Sequence, residues 1–422
     1  AQNLSNGQSF EGRAYVYHGS ASGVNPTPVF TVESNLANTY LGSSVAGAGD
    51  INNDGYDDIV IGAKGYTNGQ TNEGALYVYR GSATGVSAAT LVKIESNYTS
   101  ENLGYSVSTA GDVNNDGYDD IISGSIFYAN GQSSEGGAFI YHGSAAGIST
   151  TPATTLESNQ IGGGMGRSVT SAGDVNGDGY DDVAVGVYTY SNGQSGEGRV
   201  YVYHGSASGI PTTPVTTIES NQALANIGAS VCGAGDVNND GYDDLIAGAN
   251  LYDNIETDEG RAFIYHGSAA GIGATAVVTS ESNQASADYG LSVAGGGDIN
   301  GDGKADVIVG SYNFDSDLAN EGAAFVYYGN NCTPSTFYYD GDADGFGLST
   351  NTVESCTVPP FYANNNLDCN DVNALYNPNS IWYADLDDDD YYDESISPII
   401  QCASPGLERC FHRNNHHHLN RH

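Results

Sequence analysis

Hydrophobic positions in this chain come in short runs broken by Gly, Ser, Asn and Asp, the pattern of strands joined by tight turns. Four such runs follow one another between residues 41 and 97. Leu41-Gly42-Ser43-Ser44-Val45-Ala46-Gly47 is made of small residues, which suits a strand at a crowded axis. Asp58-Ile59-Val60-Ile61-Gly62 is an apolar run, which predicts burial on both faces. Ala75-Leu76-Tyr77-Val78-Tyr79 is β-branched and aromatic and stops at the turn Gly81-Ser82-Ala83-Thr84-Gly85. Thr90-Leu91-Val92-Lys93-Ile94 alternates and runs into Glu95-Ser96-Asn97.

The same order returns with a period of 62 residues, marked by an acidic stretch beginning at Asp50, Asp112, Asp174, Asp236 and Asp298. A four-stranded unit cannot bury both faces alone, so equal copies must stack on one another. The pattern predicts an all-β fold, a β-propeller of four-stranded blades over residues 1–330; a parallel β-helix would need far shorter rungs.

Each acidic stretch places oxygen side chains at positions 1, 3, 5 and 9 and offers a backbone carbonyl at position 7. The sets are Asp50, Asn52, Asp54, Tyr56 and Asp58; Asp112, Asn114, Asp116, Tyr118 and Asp120; Asp174, Asn176, Asp178, Tyr180 and Asp182; Asp236, Asn238, Asp240, Tyr242 and Asp244; and Asp298, Asn300, Asp302, Lys304 and Asp306. Alternate spacing puts the oxygens on one side of a tight loop, and Gly55 permits the sharp turn after position 5, an arrangement that holds a hard cation such as Ca2+. An EF-hand is excluded, because position 12 is Ile61 and the flanks read as strands. An Asn/Asp-Gly hairpin turn without metal would explain Asn53-Asp54-Gly55 but not the Asp kept at positions 1 and 9. Calcium in these loops is expected to be structural, since three carboxylates within nine residues repel unless neutralised.

Composition narrows the class. With 51 acidic and 11 basic residues the formal charge is −40, which disfavours nucleic acid and anionic membrane as partners. No run of about 18 apolar residues is present to span a membrane. Ala1-Gln2-Asn3 has neither a basic n-region nor an apolar h-region, as in a mature secreted chain, and millimolar extracellular calcium suits weak repeated sites. Cys232 stands where other repeats have Ala46, Ser108, Thr170 and Ala294, so it reads as a small buried residue. The other cysteines, Cys332, Cys356, Cys369, Cys402 and Cys410, gather in the last quarter, pointing to disulfides in an oxidising compartment with one thiol left over.

The units resemble the FG-GAP repeat of the integrin α-subunit propeller and its bacterial relatives. An apolar-Gly pair appears as Leu41-Gly42, Leu103-Gly104, Met165-Gly166, Ile227-Gly228 and Tyr289-Gly290. A weaker Gly-Ala-Pro element appears as Gly62-Ala63-Lys64, Gly124-Ser125-Ile126, Gly186-Val187-Tyr188, Gly248-Ala249-Asn250 and Gly310-Ser311-Tyr312, without proline. The acidic loop lies between them, where the family places its calcium. The resemblance implies a calcium-stiffened propeller; it does not imply an integrin's partners. Residues 1–34 hold only third and fourth strands and the last repeat only the first three, so strands from both termini are expected to close the ring, with one third strand to spare.

After Asn331 the composition changes. Tyr339-Asp340-Gly341-Asp342-Ala343-Asp344-Gly345-Phe346-Gly347, followed by Cys356 and Leu367-Asp368-Cys369, resembles the metal-binding repeats of bacterial surface proteins, which are similar to thrombospondin type 3 repeats. That resemblance implies calcium held by Asp340, Asp342, Asp344 and the Phe346 carbonyl, and a Cys356–Cys369 pair. A second copy starts at Trp382-Tyr383-Ala384-Asp385 and has Asp390 in place of the loop glycine. Residues 331–410 thus read as a Cys/Asp-rich metal-binding segment, against the alternative of a disordered acidic tail, and residues 411–422 as a His-rich tail without fixed structure.

No Ser/His/Asp order, HExxH or phosphate loop is present. His18, His142, His204 and His266 share a position that Arg80 and Tyr328 also fill, which reads as a surface turn rather than a catalyst. The connections Tyr66-Thr67-Asn68-Gly69-Gln70, Tyr128-Ala129-Asn130-Gly131-Gln132 and Tyr190-Ser191-Asn192-Gly193-Gln194 place an aromatic beside amides; the favoured reading is an Asn-Gly turn with a packed tyrosine, the other a sugar-stacking surface. The expectation is a secreted, non-catalytic, calcium-binding adhesion or ligand-binding propeller taking an extracellular protein or glycan. The second reading is a filament or surface-layer subunit joined to copies of itself through unpaired terminal blade strands.

Overall fold

The computed structural model describes residues 1–329, 335–342, 345–355 and 362–368, with the strands Ile381–Ala384, Ile399–Ile400 and Cys410–His412. The chain divides into two units, Ala1–Asn331 and Cys332–His422.

The first unit is built of antiparallel sheets whose strands lie in chain order. Leu41–Gly49, Asp58–Ala63, Ala75–Tyr79 and Val92–Glu95 form the first four-stranded sheet. Ser106–Gly111, Asp120–Ser125, Gly137–Tyr141 and Thr154–Glu157 form the second. The third comprises Met165–Gly173, Asp182–Val187, Arg199–Tyr203 and Thr216–Glu219, and the fourth Ser230–Gly235, Asp244–Ala249, Arg261–Tyr265 and Val278–Glu281. A fifth, three-stranded sheet joins Tyr289–Gly297, Asp306–Ser311 and Ala323–Tyr327. The architecture is all-β and consistent with a propeller.

Register repeats as faithfully as sequence. Ile59 pairs with Tyr79, Ile121 with Tyr141, Val183 with Tyr203, Leu245 with Tyr265 and Val307 with Tyr327. The second strands are almost wholly buried, because each sheet packs both faces against neighbours. Apolar clusters therefore lie between successive sheets; one joins Val200, Val202 and Ile218 of the third to Leu245, Ala247 and Phe263 of the fourth. Small residues at the axis have a steric cause. A Cβ on Gly62, Gly124, Gly186 or Gly248 would collide with the carbonyl of Gly104, Gly166, Gly228 or Gly290 in the next sheet.

Two polar devices fasten sheet to sheet, and neither is visible in hydrophobic patterning. Position 8 of one acidic loop reaches the preceding loop: Asp119 accepts from the Asp50 N–H at 2.7 Å, Asp181 from Asp112 at 2.8 Å and Asp243 from Asp174 at 3.1 Å. Ala305 fills this place in the fifth repeat and supplies only its backbone, 3.0 Å from the Asp236 carbonyl. On the opposite end of the sheets, Gln160, Gln222 and Gln284 each clasp the backbone of the following unit with both amide atoms; Gln222 donates to Asp253 O at 2.7 Å and accepts from Asp253 N at 2.6 Å. Leu36 and Tyr98 stand in the first two copies and are exposed instead.

The expected ring closure is not what the strands do. Arg13–Val16 and Phe30–Glu33 remain a two-stranded sheet of their own, held to the first four-stranded sheet by a parallel bridge from Gly12 to Leu41. Ala323–Tyr327 keeps an unpaired edge among the described residues. The reason is duplication: both partial sheets own a third strand, so neither can complete the other without displacing one. Cys232 is half-buried rather than buried, with Sγ 3.4 Å from the Gly295 N–H.

In the second unit Ser335–Tyr339 lies between Leu348–Ser355 and Tyr362–Ala363, and Ile381–Ala384 lies between Ile399–Ile400 and Cys410–His412. The last pairing, Tyr383 with Phe411 and Trp382 with His412, crosses the boundary expected at residue 410. Cys332, Cys356, Cys369 and Cys402, the Cys356–Cys369 pair and the His-rich stretch beyond residue 412 lie outside the described residues.

Replacing Gln222 with Ala removes two backbone hydrogen bonds and should lower stability by about 1–2 kcal/mol in urea unfolding, with the m-value unchanged.

Candidate metal-binding loops

Each acidic loop connects the first strand of a unit to the second. Its backbone demands are specific. Position 4 is left-handed in every copy, with φ of 54° at Asn53 and Asn115, 59° at Asn239, 73° at Gly177 and 77° at Gly301, which explains why only Asn and Gly occur there. Position 6 is glycine throughout, with φ from 87° to 92°.

The side chains organise themselves around these turns with the same core of hydrogen bonds five times, though only Asn52 leaves its Oδ1 unpartnered, the other four position 3 amides accepting from the position 5 N–H. At position 1, Asp50 accepts from the N–H of Asp54 at 3.0 Å and of Gly55 at 2.7 Å. The equivalents at Asp112, Asp174, Asp236 and Asp298 repeat both bonds. Asn52, Asn114, Asn176, Asn238 and Asn300 at position 3 donate to Asp54, Asp116, Asp178, Asp240 and Asp302 at position 5 over 2.9–3.1 Å. The position 5 carboxylate also accepts from the position 7 N–H, at Tyr56, Tyr118, Tyr180, Tyr242 and Lys304.

Position 9 behaves differently. Asp58, Asp120, Asp182, Asp244 and Asp306 are completely buried. One oxygen of each accepts from the position 2 N–H and the other from a glycine 23 residues on, as Asp120 does from Val113 at 3.2 Å and Gly143 at 2.9 Å. The carboxylate thus brackets the acidic loop to the turn after the third strand. Burial outweighs these hydrogen bonds and pushes the carboxyl up, to about 6 at Asp58 and about 7 at Asp120, Asp182 and Asp244.

The donor set is all oxygen, the chemistry of a hard cation, and Asn52 Oδ1 is a buried acceptor with no donor. Among the described residues no group of three or more His, Cys, Asp or Glu side chains converges as a metal cage, so any cage here must include Asn and backbone oxygens. The fifth loop differs. Lys304 Nζ lies 3.0 Å from Asp302 Oδ2, placing an ammonium beside an oxygen a metal would use and holding that carboxyl below its usual range. In the second unit Asp340 accepts from the Gly345 N–H at 3.0 Å, and Gly345 has a φ of 87°, so positions 1 and 6 repeat the propeller-loop pattern. Asp342 and Phe346 are both half-buried; Asp344 lies outside the described residues.

Two groups are not evident in the sequence, and a third, the recurrent histidines, differs in part from its expected setting. Glu11, Glu73, Glu135, Glu197 and Glu259 recur every 62 residues and are completely buried; Glu135 accepts from the Asn130 N–H at 2.6 Å and closes the loop between second and third strands. Of the histidines that share the turn after the third strand, His18 is exposed as expected, while His142, His204 and His266 are half-buried, and Nδ1 of His204 accepts from Asn176 at 3.0 Å. A further group, of cations, covers three of the connection tyrosines. Lys93 lies over Tyr66, Arg199 over Tyr190 and Arg261 over Tyr252, at 4.4, 3.7 and 4.5 Å from the ring centres. Asn68, Asn130, Asn192 and Asn254 spend their amides on Glu95, Glu157, Glu219 and Glu281. The packed-tyrosine reading of these connections is the one the structure bears out.

These sheets and loops define a β-sheet repeat protein. The FG-GAP repeat matches residues 41–79, 103–140, 165–203, 227–265 and 289–327, so the chain carries five FG-GAP repeats. It is similar to integrin alpha-5 of Xenopus laevis, 30% identical over 241 residues covering 55% of this chain and 22% of that protein. Integrin alpha pat-2 of Caenorhabditis briggsae is 31% identical over 214 residues, 46% of this chain and 16% of its own. Integrin alpha-PS2 of Drosophila melanogaster is 32% identical over 230 residues, 51% of this chain and 16% of its own. The chain therefore spans about a fifth or less of the length of these relatives. No helix among the described residues is long and apolar enough to cross a membrane.

In chelator, the raised position 9 carboxyls make the folded state hold protons that the unfolded chain releases near its ordinary value of 3.8. Stability should be greatest below about pH 4 and decline as pH rises to about 7, read as a falling Tm in EDTA.

Proposed function

We propose that the chain is a calcium-stiffened, extracellular ligand-binding or adhesion module without catalytic activity. The observation that carries this reading is the fivefold repetition of one oxygen-lined loop inside FG-GAP repeats similar to those of integrin α chains. In each loop, positions 1, 3 and 5 and the position 7 carbonyl would hold the ion; position 9, already bonded through both oxygens, would keep spare lone pairs for it. The cation supplies positive charge to a cluster of carboxylates and so stiffens the ends of the sheets. Asp340, Asp342, Asp344 and the Phe346 carbonyl would form a further site of the same kind. A protein ligand is favoured over a glycan, because the faces of Tyr66, Tyr190 and Tyr252 are covered by the chain's own cations, while Tyr128 packs edge-on against Phe139 and donates its hydroxyl to Glu157.

A second reading, assembly with copies of the same chain, is favoured by the unpaired edge at Ala323–Tyr327, where Val326 is 47% exposed. Sedimentation of the calcium-loaded protein at rising concentration should then yield discrete oligomers or fibres; a constant monomer removes this reading.

Calcium should raise Tm well above its value in EDTA, and the gap should widen as pH rises, because the same carboxyls that destabilise the metal-free fold become charged and ligating. Indifference of Tm to calcium at pH 8 would contradict the proposal. In calorimetric titration Lys304→Tyr should strengthen the weakest class of sites by about tenfold, the worth of one removed competing ion pair.

A further inference from the structure

The propeller unit holds eight basic residues in a chain of net charge −40. Five face a carboxylate: Arg13 with Glu33, Lys93 with Glu95, Arg199 with Glu219, Arg261 with Glu281 and Lys304 with Asp302. Among the described residues Lys64, Arg80 and Arg167 have no such partner. Two of these three meet at one place. Lys64 Nζ lies 5.0 Å from the centre of the Tyr105 ring, and the Arg167 guanidinium lies 5.5 Å from the same centre and 5.7 Å from that of Tyr188.

The fold brings them together at the end of the sheets opposite the acidic loops. Lys64 follows the second strand of the first unit, Tyr105 precedes the first strand of the second, and Arg167 lies near the start of the first strand of the third. Neither cation belongs to the repeat pattern. Lys64 stands where other units have Ile126, Tyr188, Asn250 and Tyr312, and Arg167 where they have Ser43, Tyr105, Ala229 and Leu291. Both are half-buried. Burial lowers the pKa of the Lys64 ammonium and the charge of Arg167 lowers it further, so the pair is held together against desolvation and mutual repulsion. Tyrosine faces soften that cost without neutralising either charge.

We propose that Lys64 and Arg167, framed by Tyr105 and Tyr188, form a carboxylate-binding subsite for an acidic side chain of a protein partner. A carboxylate has the charge to relieve both cations, and Arg167 can engage it with two parallel N–H donors while Lys64 adds a point charge. Exposed apolar side chains on connections at the same end, Tyr98, Phe127 and Ile161, suit a protein contact around that anchor. The subsite rests on the reading of the chain as a ligand-binding module and adds the chemistry of what it takes.

The test is calorimetric titration of the full calcium-loaded chain with a short peptide carrying one Glu between apolar residues, its Gln twin, and an oligosaccharide of uronic acid. The Glu peptide should bind and the Gln twin should not. Lys64→Gln and Arg167→Gln should each weaken binding about tenfold, the order of one charge-assisted hydrogen bond. The double variant should abolish it, Lys64→Arg should retain it, and Arg80→Gln should leave it unchanged, with circular dichroism and calcium-dependent Tm intact throughout. Equal binding of the two peptides, an unaltered double variant, or no binding by the natural chain would overturn the subsite; tighter binding of the uronate would overturn its assignment to protein. Calcium-dependent capture of a purified extracellular protein that ignores both substitutions would remove the subsite and leave the ligand-binding reading standing. Peptide binding without any such capture would do the reverse.

Discussion

A carboxylate buried at the base of each acidic loop is the constraint on which the rest of a unit turns. Asp120 accepts from Val113 on one side and Gly143 on the other, so one side chain joins the loop after the first strand to the turn after the third. Burying that charge is unfavourable, and the structure offsets the cost with two N–H donors rather than a cation of its own. The neighbouring Asp112 and Asp116 add repulsion. The loop is thus geometrically complete but electrostatically strained, and a divalent ion is the simplest agent that would relieve it.

Much of this was legible in the chain itself because the architecture is periodic. A residue kept at every return of the 62-residue unit, such as the aspartate at position 9, must meet a need that recurs. The four runs of each of the four complete units became four strands, and the left-handed position 4 turned out to be the reason Asn53 alternates with Gly177 and Gly301. Fastenings between units were harder to see. Gln222 clasps Asp253, 31 residues on, through backbone atoms that carry no side-chain signature. The buried glutamates repeat as strictly as the aspartates, but a lone Glu before a Gly looks like an exposed turn residue until the fold places Asn130 N–H against it. Ring closure failed as an expectation because strand counting ignores which strands are already paired.

The two ends of the sheets differ in chemical character. One carries the acidic loops, whose oxygens are turned inward on their own backbone. The other carries the tyrosine connections, where Arg199 and Arg261 are neutralised by Glu219 and Glu281, and where Lys64 and Arg167 are not. On the reading proposed above, rigidity would come from one end of the strands and recognition from the other, so changing one end need not disturb the other.

The uneven fastening between units bears on how the molecule would respond to pulling. The joints from second to third and from third to fourth unit carry both the aspartate link and the glutamine clasp. The joint from first to second has Tyr98 in place of the clasp, and the joint from fourth to fifth has Ala305 in place of the link. Under tension the outer joints would yield before the middle of the array, which would act as a stiff spring seat between two softer hinges.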